Sequence, residues 1–167
     1  MEGLNGVRIG VVGAAECSQD VYKAAHDVGQ EIGKRRAILI CGGLGGVMEA
    51  AAKGAIEAGG MTVGILPGDN ENQANAYITI PIPTGLSHAR NVLIARISQV
   101  LIAISGGYGT LSEIALALKM EKGVIGLHTW RHIPGIVHAA DSIEAVDLAF
   151  QMLPKWSETG PQHPSSS

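Results

Sequence analysis

The sequence predicts an α/β protein: a Rossmann-like, doubly wound, mostly parallel sheet of about six to seven strands with helices on both faces. Three observations carry this reading. Short apolar runs recur at residues 7–13, 37–41, 61–66, 100–104 and 123–127, without the polar alternation of strands that face water. Segments with apolar positions at helical spacing lie between most of them, which is the pattern of parallel strands joined by crossover helices. Glycine-rich breaks stand where a run ends and a helix should begin, at residues 42–46 and 106–109.

Taken in order, V-R-I-G-V-V-G at 7–13 reads as the first strand. Ser18 or Asp20 can cap a helix over about residues 19–34, with Val21, Ala24, Ala25, Val28 and Ile32 on its inner face. The second strand, A-I-L-I-C at 37–41, runs through Gly42-Gly43-Leu44-Gly45-Gly46 into a helix over 47–58, stopped by Gly59-Gly60. The third strand is 61–66, followed by a polar loop to about residue 75. Residues 77–82 form a fourth strand that Pro81 and Pro83 confine to an edge or an end. Arg90, Ile94 and Ile97 sit at helical spacing within 86–98. The fifth strand, 100–104, passes through Gly106-Gly107-Tyr108-Gly109 into a helix expected to start near Thr110. Residues 123–127 give a sixth strand and 136–138 a short last one. Asp141-Ser-Ile-Glu144 is a capping-box signature for a helix over 142–153. Residues 1–155 then make one nucleotide- or phosphate-binding domain, and the polar residues 156–167 read as a disordered tail.

Composition limits the function classes. A net charge of −3 argues against a protein that holds nucleic acid. The one basic run, Lys34-Arg35-Arg36, falls where the first helix should end and so complements its dipole. Cys17 and Cys41 show no paired spacing, which points to a reduced, cytoplasmic protein. No run approaches the ~18 apolar residues of a membrane span, so no membrane partner is expected. His88, His128, His132 and His138 lack metal-ligand spacing and read as surface or packing residues.

The chemistry concentrates at the two glycine breaks. The first strand's turn, G-V-V-G-A-A, lacks the dinucleotide fingerprint, the second strand ends at Cys41 with no carboxylate to hold a ribose, and neither break ends in the G-K-[ST] of a P-loop. Each break still follows a buried strand and opens a helix, so Gly42, Gly43, Gly45 and Gly46, and Gly106, Gly107, Gly109 and Thr110, can present N–H groups to a phosphate. Tight turns alone would also account for both. Glu113 falls beside the second break, where a carboxylate does not help an anion bind; it must serve something else. T-L-S-E from Thr110 to Glu113 also matches a capping box, which would make both residues structural. Arg90 could equally be the structural partner of a carboxylate.

S-H-A-R at Ser87–Arg90, followed by S-G-G-Y-G-T-L-S-E ending at Glu113, resembles the lonely-guy-type cytokinin phosphoribohydrolases of the lysine-decarboxylase-like superfamily. G-G-L-G-G-V-M-E, starting at Gly42, resembles that family's other glycine loop. G-L-S-H-A-R and E-I-A-L-A-L-K are similar to a sister branch, the molybdenum-cofactor carrier proteins. The similarity spans about residues 7–150. It implies Arg90 and Glu113 as a catalytic pair, the two glycine loops and Thr110 as ligand-binding residues, and a homodimer or higher homo-oligomer. It also implies two occupants, a nucleoside 5′-monophosphate that is hydrolysed or a molybdenum cofactor that is carried, and no further cofactor. The chain departs from the hydrolase pattern in Asn91 for lysine, Ser105 for proline and Ile94 for methionine.

Overall fold

The computed structural model describes residues 6–154; the predicted tail at 156–167 lies outside them. Among these residues, seven strands form one sheet: β1 (Arg8–Gly13), β2 (Ile38–Cys41), β3 (Met61–Leu66), β4 (Ile80–Pro83), β5 (Val100–Ile104), β6 (Gly123–Leu127) and β7 (Ile136–His138). Their order is β4-β3-β2-β1-β5-β6-β7, and every neighbouring pair is parallel. The order reverses between β1 and β5, whose register pairs Gly13 with Ile104. A crevice opens at such a switch point, beyond the carboxyl ends of the strands.

Among the described residues, five α-helices cover the sheet: α1 (Gln19–Lys34), α2 (Val47–Glu57), α3 (Asn91–Ile97), α4 (Tyr108–Lys119) and α5 (Ser142–Gln151). Two apolar cores result, one on each face. Val28, Ile32, Ala51 and Val146 of α1, α2 and α5 pack with Val100, Ile102 and Ile104 of β5. Ile94 and Ala95 of α3 and Ile114 and Ala117 of α4 pack with Leu101 and Ala103. The period of two along β5 thus feeds both cores, and all five of its residues are buried.

The caps follow the sequence in part. Ser18 accepts from the Val21 amide, and Asp141 accepts from Glu144 N at 2.9 Å. Glu144 reaches back to the Ala140 amide, one residue before the cap. Arg35 pairs with Asp147 at 2.5 Å and lies over the Phe150 ring, so the basic run joins α1 to α5.

Three elements differ from expectation. β4 starts at Ile80, not residue 77, because Thr62 Oγ1 donates to the Tyr77 carbonyl and accepts from Thr79 N, holding that stretch off the backbone ladder. The segment 86–98 is split into a 3-10 turn, Ser87–Arg90, and α3. α4 begins at Tyr108 with Gly107 as its cap, two residues before the expected Thr110. That shift decides how the site is read.

Candidate functional site

With its cap at Gly107, α4 does not use Thr110 as a cap, and no side chain caps its first turn. The capping-box reading of Thr110 and Glu113 is therefore corrected. Glu113 lies in the second turn, only 6% exposed, with Oε1 3.5 Å from Arg90 Nη1. Arg90 is itself 8% exposed, and its Nε has no hydrogen-bond partner among the described residues. Burial pushes the Glu113 carboxyl up to about 7, only partly offset by the Arg90 charge. Burial also lowers the Arg90 pKa, while Glu113 opposes that shift. A carboxyl group balanced between acid and base at neutral pH is suited to proton transfer and to holding a neutral polar group.

The pair lines a cleft of ≈ 260 Å³ at the switch point, together with Gly13, Leu44, Met48, His88, Gly107 and Thr110. Gly109 and Asn91 also face it. All three turns at the carboxyl edge contribute: the one after β1, the one between β2 and α2, and the one between β5 and α4. Gly107 and Gly109 are exposed, and a Cβ on either would meet nothing within 4 Å. The first N–H groups of a helix have no intrahelical acceptor, and here no side chain covers them. Free N–H groups and a helix dipole are the elements from which anion seats are built.

The first glycine loop is placed differently. A Cβ at Gly42 would lie 2.7 Å from Arg90 Nη2, so the missing side chain is what admits the guanidinium. Gly46 has φ +61, and a Cβ there would lie 2.3 Å from the Ala14 carbonyl. That carbonyl accepts from Val47 N at 3.0 Å, so one free amide of α2 is already engaged. Gly43 backs onto Leu66 and Gly64, and Gly45 faces the Ala15 carbonyl. The carbonyls of Gly43 and Leu44 accept from the Asn75 side chain. From this loop the cleft is lined by Leu44 and Met48, with the glycines behind them. Gly106 packs against the Thr110 side chain.

Ser105, where the hydrolase pattern has proline, sits at φ +50. Its N–H donates to the Leu127 carbonyl, and its own carbonyl accepts from Thr129 Oγ1 at 2.7 Å. Proline fixes φ near −65° and has no N–H, so it fits neither feature. Ser105→Gly is expected to stabilise the protein by about 0.5–1 kcal/mol, by relieving a left-handed serine while keeping both bonds. A urea titration reads this as a higher midpoint at constant slope; an unchanged or lower midpoint contradicts it.

Sequence reasoning missed Leu44 and Met48, which carry no chemical signature. It read His88, exposed at the cleft, as a surface or packing residue. Ser112 was missed too: its Oγ accepts from Asn91 Nδ2 at 3.0 Å and donates to the Gly109 carbonyl at 2.6 Å. Among the described residues, no three His, Cys, Asp or Glu side chains converge as metal ligands. No helix there is long and apolar enough to cross a membrane.

Known proteins share this architecture. The molybdenum cofactor binding protein of Rippkaea orientalis superposes with a TM-score of 0.83 at 35% identity, over 89% of this chain and 98% of that one. The Moco carrier protein of Chlamydomonas reinhardtii gives 0.79 at 38% identity, over 87% and 96% of the two chains. A cytokinin riboside 5′-monophosphate phosphoribohydrolase of Arabidopsis thaliana is 36% identical over 120 residues, which span 70% of this chain and only 50% of that enzyme. The SLOG cluster4 family matches residues 6–152. On this match and these relatives, the chain belongs to the SLOG cluster4 family, within the lonely-guy-type superfamily and close to its molybdenum-cofactor carrier branch.

Proposed function

We propose that the protein binds a small phosphate-bearing ligand in this cleft and carries it, with molybdenum cofactor as the occupant. The observation that supports this best is the uncapped start of α4 at Gly107–Thr110, open to a cleft that also holds Arg90. Two kinds of positive group then converge on one anion: helix N–H groups and a guanidinium. The high similarity to a molybdenum cofactor binding protein over nearly its whole length supports the choice of occupant. Asn91 supports it as well, since the lysine of the hydrolase pattern would add a charge that Asn91 does not. We read the protein as cytoplasmic and as a homodimer or higher homo-oligomer; the exposed Ile82, Leu86 and Val92 favour the latter.

A second reading, a nucleoside 5′-monophosphate phosphoribohydrolase, is favoured by the Arg90–Glu113 pair alone. Cleavage of the N-glycosidic bond builds positive charge on the sugar, which Glu113 would stabilise while orienting water. One experiment separates the two. Purified protein is incubated with AMP and assayed for free adenine and ribose 5-phosphate, and in parallel with molybdenum cofactor, followed by gel filtration and molybdenum analysis. Co-elution of molybdenum without adenine release is the expected result. Adenine release that Glu113→Gln abolishes would replace the carrier with the hydrolase.

A further inference from the structure

Asn91 is 7% exposed and faces the same cleft, and its amide is engaged at both ends. Its Oδ1 accepts a hydrogen bond from Arg90 Nη1. Its Nδ2 donates to Ser112 Oγ, which donates in turn to the Gly109 carbonyl. The donors all run one way, from the guanidinium to the turn that opens α4. Arg90 Nη1 thus bonds Asn91 and stays at 3.5 Å from Glu113, an ion-pair distance too long for a hydrogen bond of ordinary strength.

We infer that Asn91 is a positioning residue: it holds the Arg90 guanidinium off Glu113 and couples it, through Ser112, to the Gly107–Gly109 turn. The acceptor is what matters. A lysine at this position has three donors and no acceptor, and its charge would repel Arg90. An aliphatic side chain of the same size would leave Nη1 with Glu113 as its nearest remaining partner. Arg90 would then close on the carboxylate and away from the turn. Asn91 keeps both groups available to a ligand and makes their placement depend on the α4 turn.

The effect on Glu113 is independent of any ligand; the effect on affinity rests on the phosphate-binding reading above. The charged and titratable groups around Glu113 are Arg90, His88 across the cleft, and the Cys41 thiol, which burial pushes up to about 12 and so keeps neutral. In the full chain, the Glu113 carboxyl is followed by carbon NMR through a pH titration in wild type, Asn91→Leu and Asn91→Asp. Asn91→Leu is expected to lower the Glu113 pKa by about one unit, because Arg90 now bonds the carboxylate. Asn91→Asp is expected to raise it, since the new carboxylate retains Arg90 and adds a like charge. AMP affinity by calorimetry should fall about tenfold in Asn91→Leu. Opposite shifts in the two variants support the inference. A Glu113 titration that either variant leaves at the wild-type value overturns it, and Asn91→Ala, which removes the same acceptor, takes the place of Asn91→Leu if that variant does not fold. Failure of wild-type protein to bind AMP would count against the phosphate reading and leave the Glu113 result standing.

Discussion

Replacing Glu113 by glutamine is expected to make the ligand-free protein more stable at about pH 8 and no more stable at about pH 4. The sign follows from burial. In the folded chain the carboxyl is raised from 4.5 to about 7, so the folded state holds its proton more tightly than the unfolded state does. The stability this contributes is fully present below about pH 4.5 and is lost as the pH rises through about 7. The shift corresponds to roughly 3 kcal/mol, an upper figure because Arg90 is free to relax toward the ionised form. Glutamine mimics the neutral acid in shape and has no proton to lose. Urea melts of the two proteins at the two pH values should therefore diverge by about 1–3 kcal/mol at the higher one. A gain in stability on removing a residue is the mark of a group kept for function. A variant less stable than wild type at about pH 8 would mean that Arg90 and Glu113 form an ordinary stabilising pair.

The second large effect is expected at Gly109, where stability and binding should move in opposite directions. Gly109 is the second residue of α4 and lines the cleft, and a Cβ there meets no atom within 4 Å. Alanine is the better helix former by up to about 1 kcal/mol, so Gly109→Ala should fold at least as well as wild type. Its methyl group would occupy the approach to the free N–H groups, and AMP affinity should drop by about 10- to 100-fold. Thermal melting and calorimetry on one preparation read both. Unchanged affinity would place the phosphate away from this turn and leave Gly109 as a turn residue only.

Much of the fold is legible in the chain because burial on both faces leaves a simple imprint. The runs at β1, β2, β3, β5 and β6 are continuous and apolar, and Pro81 and Pro83 mark β4 as an edge strand, which it is. Parallel connection follows from helices between strands. The glycine break that opens α4 is legible for a similar reason, since it stands between a buried strand and a helix. The role of Glu113 is not. Thr110 and Glu113 have capping-box spacing, and only the start of α4 at Tyr108 shows that the box does not form. That start is set by the Gly106–Gly107 turn and by Ser105, whose left-handed conformation is held by bonds to the distant Leu127 and Thr129. The meeting of Arg90 with Glu113 is likewise set by α3 packing on α4, and the Asn91–Ser112 link spans 21 residues. The sequence offers both glycine loops as anion seats or as tight turns alike; a Cβ added at Gly42 or Gly46 would meet Arg90 or the Ala14–Ala15 backbone at close range.

The proposed phosphate seat is the start of α4. Backbone amide shifts of nitrogen-15-labelled protein, followed while AMP is added, test it most directly. The largest changes are expected at Gly107, Tyr108, Gly109 and Thr110, with smaller ones at Arg90 and Asn91. Changes confined to the loop at Gly42–Gly46, or saturable changes away from the cleft, would contradict it.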